Sequence, residues 1–167
     1  RTIFNLLGPL SNPAFVKRQM VGVFDKRWLH PFAEALNKMG STNAWIIHGR
    51  DGLDEVSISD ITDVVQLKNG KITEFSINPE EYGFKKNTIA SIKGGDPKHN
   101  AIELRSLLEG KEGPYKDIVL LNSASALVGS GHEIKFETAL LKSKNSLESG
   151  KALNKLKDLI KITNVES

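Results

Sequence analysis

The stretch IIHGRDGLDEVS, residues 46–57, sets a histidine, an arginine and three carboxylates directly after an apolar run. Asp54 and Glu55 are adjacent, so their charges repel unless water or a cation stands between them. A hard divalent ion takes oxygen ligands, and Mg²⁺ typically binds one or two carboxylates and completes its shell with waters and substrate phosphates. The chemistry within reach of this pair is therefore the holding of a cation against a phosphorylated ligand. On spacing alone a solvated turn accounts for the same residues, and is the commoner arrangement. Asp51-Gly52 is turn chemistry, and Asp54 can act as a cap.

Other groups carry weaker signals. GPLSNP (residues 8–13) offers rigid backbone that could line a pocket, although on spacing alone a plain connector is the commoner arrangement. KGGD (residues 93–96) opens a helix, where free amides and the dipole attract anions; a capped helix start is the simpler account. His30, His48, His99 and His132 have no paired ligand spacing, so zinc is unsupported. His48 lies near the carboxylates and suits a structural hydrogen bonder as well as a functional one. Neither a phosphate-binding Walker loop nor a nucleophile elbow is present.

The elements that must position Asp54 and Glu55 follow from periodicity. QMVGVF (residues 19–24) has strand length. DKRWLHPFAEALNKMG (residues 25–40) reads as a helix capped by Asp25 and closed by Gly40, with Trp28, Leu29, Phe32, Leu36 and Met39 as its apolar stripe. NAWIIHG (residues 43–49) is the next strand. This order is a βαβ unit, for which a parallel pair is the default, and ligands of open α/β sheets bind beyond the carboxyl ends of the strands. Residues 49–55 leave such an end. Further on, VSISD, DVVQLKNG and KITEFSI look strand-like, and Asn69-Gly70 predicts an antiparallel hairpin of residues 64–67 with 72–77. Asp96, Pro97 and Gly110 bracket a helix over residues 94–110, an apolar helix spans 115–131, and two amphipathic helices follow, broken near residues 144–149. The fold class expected is α/β: one domain over residues 1–167, a mostly parallel central sheet carrying an antiparallel hairpin, flanking helices and a helical C-terminal part.

Composition sets the outer bounds. The 167 residues suffice for one domain with a sizeable core. Hydrophobic residues make up 39% and charged residues 26%, a globular balance, and no apolar run reaches the roughly 18 residues of a membrane span. The absence of cysteine excludes disulfides and thiol chemistry and suits a cytoplasmic protein. A net charge of +3 is too small an excess to argue for nucleic acid, and suits anionic small molecules equally. The sequence opens at Arg1 in mid-pattern, without Met or a signal-peptide profile, which reads as a portion of a larger enzyme.

RTIFNLLGPLSNPA, then QMVGVFDKRWLHPFAEALNKMGSTNAWIIHGRDGLDEVS, GGDPKHNAIELRSLLEG, DIVLLNSASALV and SGKALNKLKDLI together resemble the second half of the anthranilate phosphoribosyltransferase family. The resemblance runs along nearly the whole chain, and RTIFNLLGPLSNP with HGRDGLDE carries most of its specificity.

The resemblance implies a catalytic domain of the nucleoside phosphorylase/phosphoribosyltransferase type. It implies transfer of a phosphoribosyl group from phosphoribosyl pyrophosphate to anthranilate, in tryptophan biosynthesis. By it, Asp54 and Glu55 are the metal ligands, for Mg²⁺, and Gly8 and Pro9 are substrate-binding backbone along the anthranilate channel. No residue of the chain is implied to act as a covalent or acid–base catalyst. The family's glycine-rich GTGGD loop, its KHGN segment, its anthranilate-binding arginine and its N-terminal helical domain, through which it forms homodimers, all fall before Arg1. These residues alone are therefore expected to be inactive. A pyrimidine nucleoside phosphorylase-like enzyme is the alternative of similar fold, although its lysine- and serine-bearing phosphate motifs are not seen. A non-catalytic binding module is the alternative of a different class.

Overall fold

The computed structural model describes residues 4–164; residues 1–3 and 165–167 lie outside the described part. Its elements run α1 (Phe4–Leu7), β1 (Arg18–Gly22), α2 (Leu29–Lys38), β2 (Asn43–Gly49), β3 (Thr62–Lys68), β4 (Lys71–Ile77), α3 (Pro97–Leu108), α4 (Pro114–Gly129), α5 (Phe136–Glu148) and α6 (Lys151–Thr163). Four strands form one sheet in the order β1-β2-β3-β4. The sheet is mixed. The parallel part that the βαβ pattern predicts is the β1–β2 pair, Arg18 facing Asn43 through to Gly22 facing Ile47. The β2–β3 and β3–β4 pairs are antiparallel.

Both faces of the sheet are covered, which is why β2 reads as a continuous apolar run instead of an alternation. Ala44 and Ile46 point to one side, with Val21, Val65 and Leu67, and pack on Leu29, Phe32, Ala33 and Leu36 of α2. Trp45 and Ile47 point to the other, with Val64, and meet Ile118, Leu121 and Ala124 of α4 and Phe136 and Ala139 of α5. Gly129 makes this second contact possible: a Cβ there would stand 2.8 Å from Trp45 Cγ, so α4 approaches the sheet only because that position has no side chain.

Local signals set the boundaries. Asp25 accepts the Arg27 amide and begins a 3-10 turn that leads into α2, and Asp96 accepts the His99 amide at the start of α3. Asn69 and Gly70, with φ of 48° and 81°, make the tight turn joining β3 to β4. Two expectations shift. The break between the last two helices falls at Ser149 and Gly150, the far end of the expected span, because Gly150 takes a left-handed φ of 73°. Residues 56–60, read as strand-like, form no strand. Their backbone is taken up by side chains: Asn122 binds Val56, Thr62 Oγ1 accepts the Ser57 amide, and Ser57 Oγ accepts the amides of Ser59 and Asp60.

Candidate metal and phosphate site

β2 ends at Gly49, and the chain turns back within four residues. The Gly49 amide donates to Leu53 O at 2.8 Å and the Gly52 amide donates to Gly49 O at 2.8 Å. Asp51 ties this turn to the segment that follows. Its Oδ1 accepts the Leu53 amide at 3.1 Å, and its Oδ2 accepts short hydrogen bonds from the Ser57 and Ser59 hydroxyls. Burial pushes the Asp51 carboxyl up, but those donors outweigh it and leave it below the ordinary carboxylate range. Asp51, the third acidic residue of the motif, is thus committed to holding the loop.

Asp54 and Glu55 are left at its outer side. Both are exposed, and neither carboxylate makes a hydrogen bond or ion pair among the described residues. Their neighbour Val56 is fully buried. The Glu55 carboxyl is pushed up, first by partial desolvation of the carboxylate although the residue as a whole is exposed, and second by the charge of Asp54. A pair of free, mutually repelling oxygen donors beside a strand's carboxyl end fits a hard cation that draws its remaining ligands from substrate and water. No third His, Cys, Asp or Glu completes a cluster able to hold a metal by itself among the described residues.

Gly8 and Pro9 border β1. They line a depression of ≈ 560 Å³ with Ser11, Asn12 and the β1 residues Met20, Val21 and Gly22. Gly22 in turn lies against Asp54, whose carbonyl oxygen and carbon come within 1.6 and 2.5 Å of where a Cβ on Gly22 would be. One end of β1 therefore borders both groups of residues that the sequence singles out. An apolar cleft of ≈ 750 Å³ between β1 and α3–α6, with Leu107, Leu120, Leu127 and Leu147 in its lining, contains neither Asp54 nor Glu55. Arg18, His132 and Lys142 also border this cleft, so it differs from the carboxylate pair in carrying cationic and not acidic side chains.

His48 is structural: its Nδ1 is 2.8 Å from Val23 O, linking β2 to the end of β1. Sequence reasoning passed over three contributors. Gly22 was visible only as a glycine in a strand pattern, a sign of close backbone approach. Asn122 gave no signal, since its partner is 66 residues away. The cluster in which Asp63 accepts from Arg50 (2.8 and 3.1 Å) and pairs with Lys26 (2.9 Å) joins three distant positions at the same end of the sheet.

A model of the glycosyl transferase family, in its α/β domain, matches residues 1–153. The chain belongs to this family. Among curated members, the anthranilate phosphoribosyltransferase of Rhodopseudomonas palustris (strain TIE-1) is 49% identical over 163 residues, 98% of this chain and 48% of that protein. The enzyme of the same name from Azorhizobium caulinodans is 50% identical, over 98% of this chain and 47% of its own length. Solved glycosyl transferase relatives agree in fold. Anthranilate phosphoribosyltransferase from Thermus thermophilus superposes with a TM-score of 0.85 at 36% identity, covering 95% of this chain and 46% of that one. The Saccharomyces cerevisiae enzyme in complex with PRPP and Mg gives 0.85 at 30% identity, covering 94% and 46%. The chain spans about half the length of the curated relatives it matches.

Proposed function

We propose that this chain supplies the metal-holding part of an anthranilate phosphoribosyltransferase, transferring the phosphoribosyl group of phosphoribosyl pyrophosphate to anthranilate in tryptophan biosynthesis. The observation that carries the reading is the exposed, unengaged Asp54–Glu55 pair at the carboxyl end of β2, in a chain about half identical to enzymes of that name. In the reaction the amine nitrogen of anthranilate forms a bond to the anomeric ribose carbon. The bond from that carbon to the pyrophosphate oxygen breaks, pyrophosphate leaves with the electron pair, and the amine gives up a proton to solvent. Asp54 and Glu55 would hold Mg²⁺, which when bound would supply positive charge against the departing pyrophosphate. The backbone of Gly8 and Pro9 forms part of the wall against which anthranilate lies. The amine is already a nucleophile, so no residue of the chain forms a covalent intermediate.

The remaining parts of this reading rest on the same relationship. Residues 1–167 act as one α/β unit, and the glycine-rich and arginine-bearing segments of the family complete the substrate shell. By themselves these residues are inactive. The complete protein is a homodimer through its N-terminal helical domain, and works in the cytoplasm. No described helix is long and apolar enough to cross a membrane.

The test follows anthranilate fluorescence with phosphoribosyl pyrophosphate across a Mg²⁺ series. The complete polypeptide carrying these residues is compared with its Asp54→Asn/Glu55→Gln form. Loss of transfer in the double variant, with a raised Mg²⁺ requirement in each single one, is the expected result. Equal turnover in all forms overturns the reading.

A further inference from the structure

We propose that Asn122, on α4, is a positioning residue for the carboxylate pair. It grips the backbone of Val56, the residue that follows Glu55, and so fixes the direction in which Asp54 and Glu55 leave the loop. The inference rests on the reading of Asp54 and Glu55 as metal ligands.

The grip has two points. The Val56 amide donates to Asn122 Oδ1 at 2.9 Å, and Asn122 Nδ2 donates to Val56 O at 2.8 Å. The second Nδ2 hydrogen goes to Ile118 O, one turn back along α4, at 2.9 Å. The side-chain amide therefore has both donors and its acceptor engaged, which fixes its own plane before it fixes Val56. Among aliphatic side chains of this length, only an amide offers donor and acceptor together. A carboxylate in its place would face Val56 O with a second acceptor, and an alkyl group would leave both backbone groups of a fully buried residue unpaired.

What makes this more than a tie between a helix and a loop is where it acts. Residues 56–60 have no ladder partner, so a sheet does not hold them. On the other flank of the pair, the Asp54 carbonyl is seated against Gly22. The two carboxylates thus hang from a backbone held at Asp54 on one side and Val56 on the other. Groups that orient metal ligands from outside the coordination shell commonly set affinity by about 10- to 100-fold when removed.

The experiment uses the complete polypeptide and a readout that needs no turnover: equilibrium dialysis of labelled inorganic pyrophosphate across a Mg²⁺ series, beside a thermal melt. Four forms are compared with the parent: Asn122→Ala, Asn122→Asp, Ser125→Ala and Asp54→Asn/Glu55→Gln. Ser125 is a buried α4 residue whose hydroxyl donates only along its own helix, to Leu121 O, and controls for disturbance of α4. The proposal expects the Mg²⁺ concentration at half-retention to rise about tenfold in both Asn122 forms and to stay put in Ser125→Ala, even where that form melts earlier. An unchanged midpoint in the Asn122 forms, with retention lost in the double carboxylate variant, overturns the positioning role and leaves the metal reading standing. Retention unaffected by the double variant overturns both. If neither Asn122 form folds while Ser125→Ala does, Asn122 is a structural residue and the positioning role falls.

Discussion

The carbonyl oxygen of Asp54 rests where a side chain on Gly22 would stand, 1.6 Å from the Cβ position. The loops leaving two neighbouring parallel strands meet at that point. Gly22 has no left-handed backbone angle to satisfy, so the requirement is one of space alone.

Gly22→Ala therefore has to push the Asp54–Glu55 segment outward or move the end of β1. Overpacking of this kind costs about 1–3 kcal/mol. The expected outcome is a lower melting temperature together with a higher Mg²⁺ requirement for pyrophosphate retention. A variant with both values unchanged would show that the two loops slide freely past each other.

Asp54→Asn and Glu55→Gln separate function from folding. Both side chains are exposed and unengaged among the described residues, and each variant removes one partner of a repelling pair. Stability should stay within about 0.5 kcal/mol of the parent while metal-dependent binding falls. Chemical denaturation checks it, and a loss of several kcal/mol in either form would make the pair structural.

Asp51→Ala should do the reverse of those two. It strips the acceptor from the hydroxyls of Ser57 and Ser59, the first of which is fully buried, and from the Leu53 amide. A cost of about 1–3 kcal/mol is expected, with binding reduced only as far as the loop loosens. Faster hydrogen exchange at the Leu53 amide is the direct readout; unaltered exchange would count against the account of the loop.

Asp63 predicts a pH dependence. Its carboxyl is held below the usual Asp range, first by the hydrogen bonds from Arg50, which outweigh burial, and then by Lys26. A carboxylate lowered in the native state adds stability that is whole above its unfolded pKa, about 3.9, and is lost as pH falls through the lower native value. Because Arg50 and Lys26 are 47% and 68% exposed, the contribution should be only about 1 kcal/mol. Parent and Asp63→Asn should differ by a constant amount above about pH 5 and converge on acidification below about pH 4. A gap that persists at the acid end would show that Asp63 acts through packing rather than charge.

What the sequence revealed was local. Asp96, Pro97 and Gly110 delimit α3 because capping is decided within a few residues, and Asn69-Gly70 marks the β3–β4 turn for the same reason. Asp54 and Glu55 stood out because adjacent carboxylates after a glycine turn form a local pattern. What brings Gly22 and Asn122 to them is tertiary, and leaves no trace in spacing. Residues 56–60 look strand-like because Val56 and Ile58 do alternate and are buried, yet side chains 5 and 66 residues away in sequence satisfy their backbone instead of a ladder. The mixed sheet follows the same division: the hairpin and the βαβ unit were each legible, but the weight of parallel to antiparallel pairing depends on how they join.

The Asn122–Val56 grip also sets an order of events. It closes a loop of 66 residues, so it cannot form until α4 exists and has docked, whereas the β3–β4 hairpin closes within a few residues. During synthesis the carboxylates leave the ribosome well before the helix that steadies them. A nascent chain ending before α4 would carry Asp54 and Glu55 on a turn without its anchor. On the proposed reading of Asp54 and Glu55, competence to hold a cation arrives late in the maturation of the polypeptide, after the hairpin beside it is already in place.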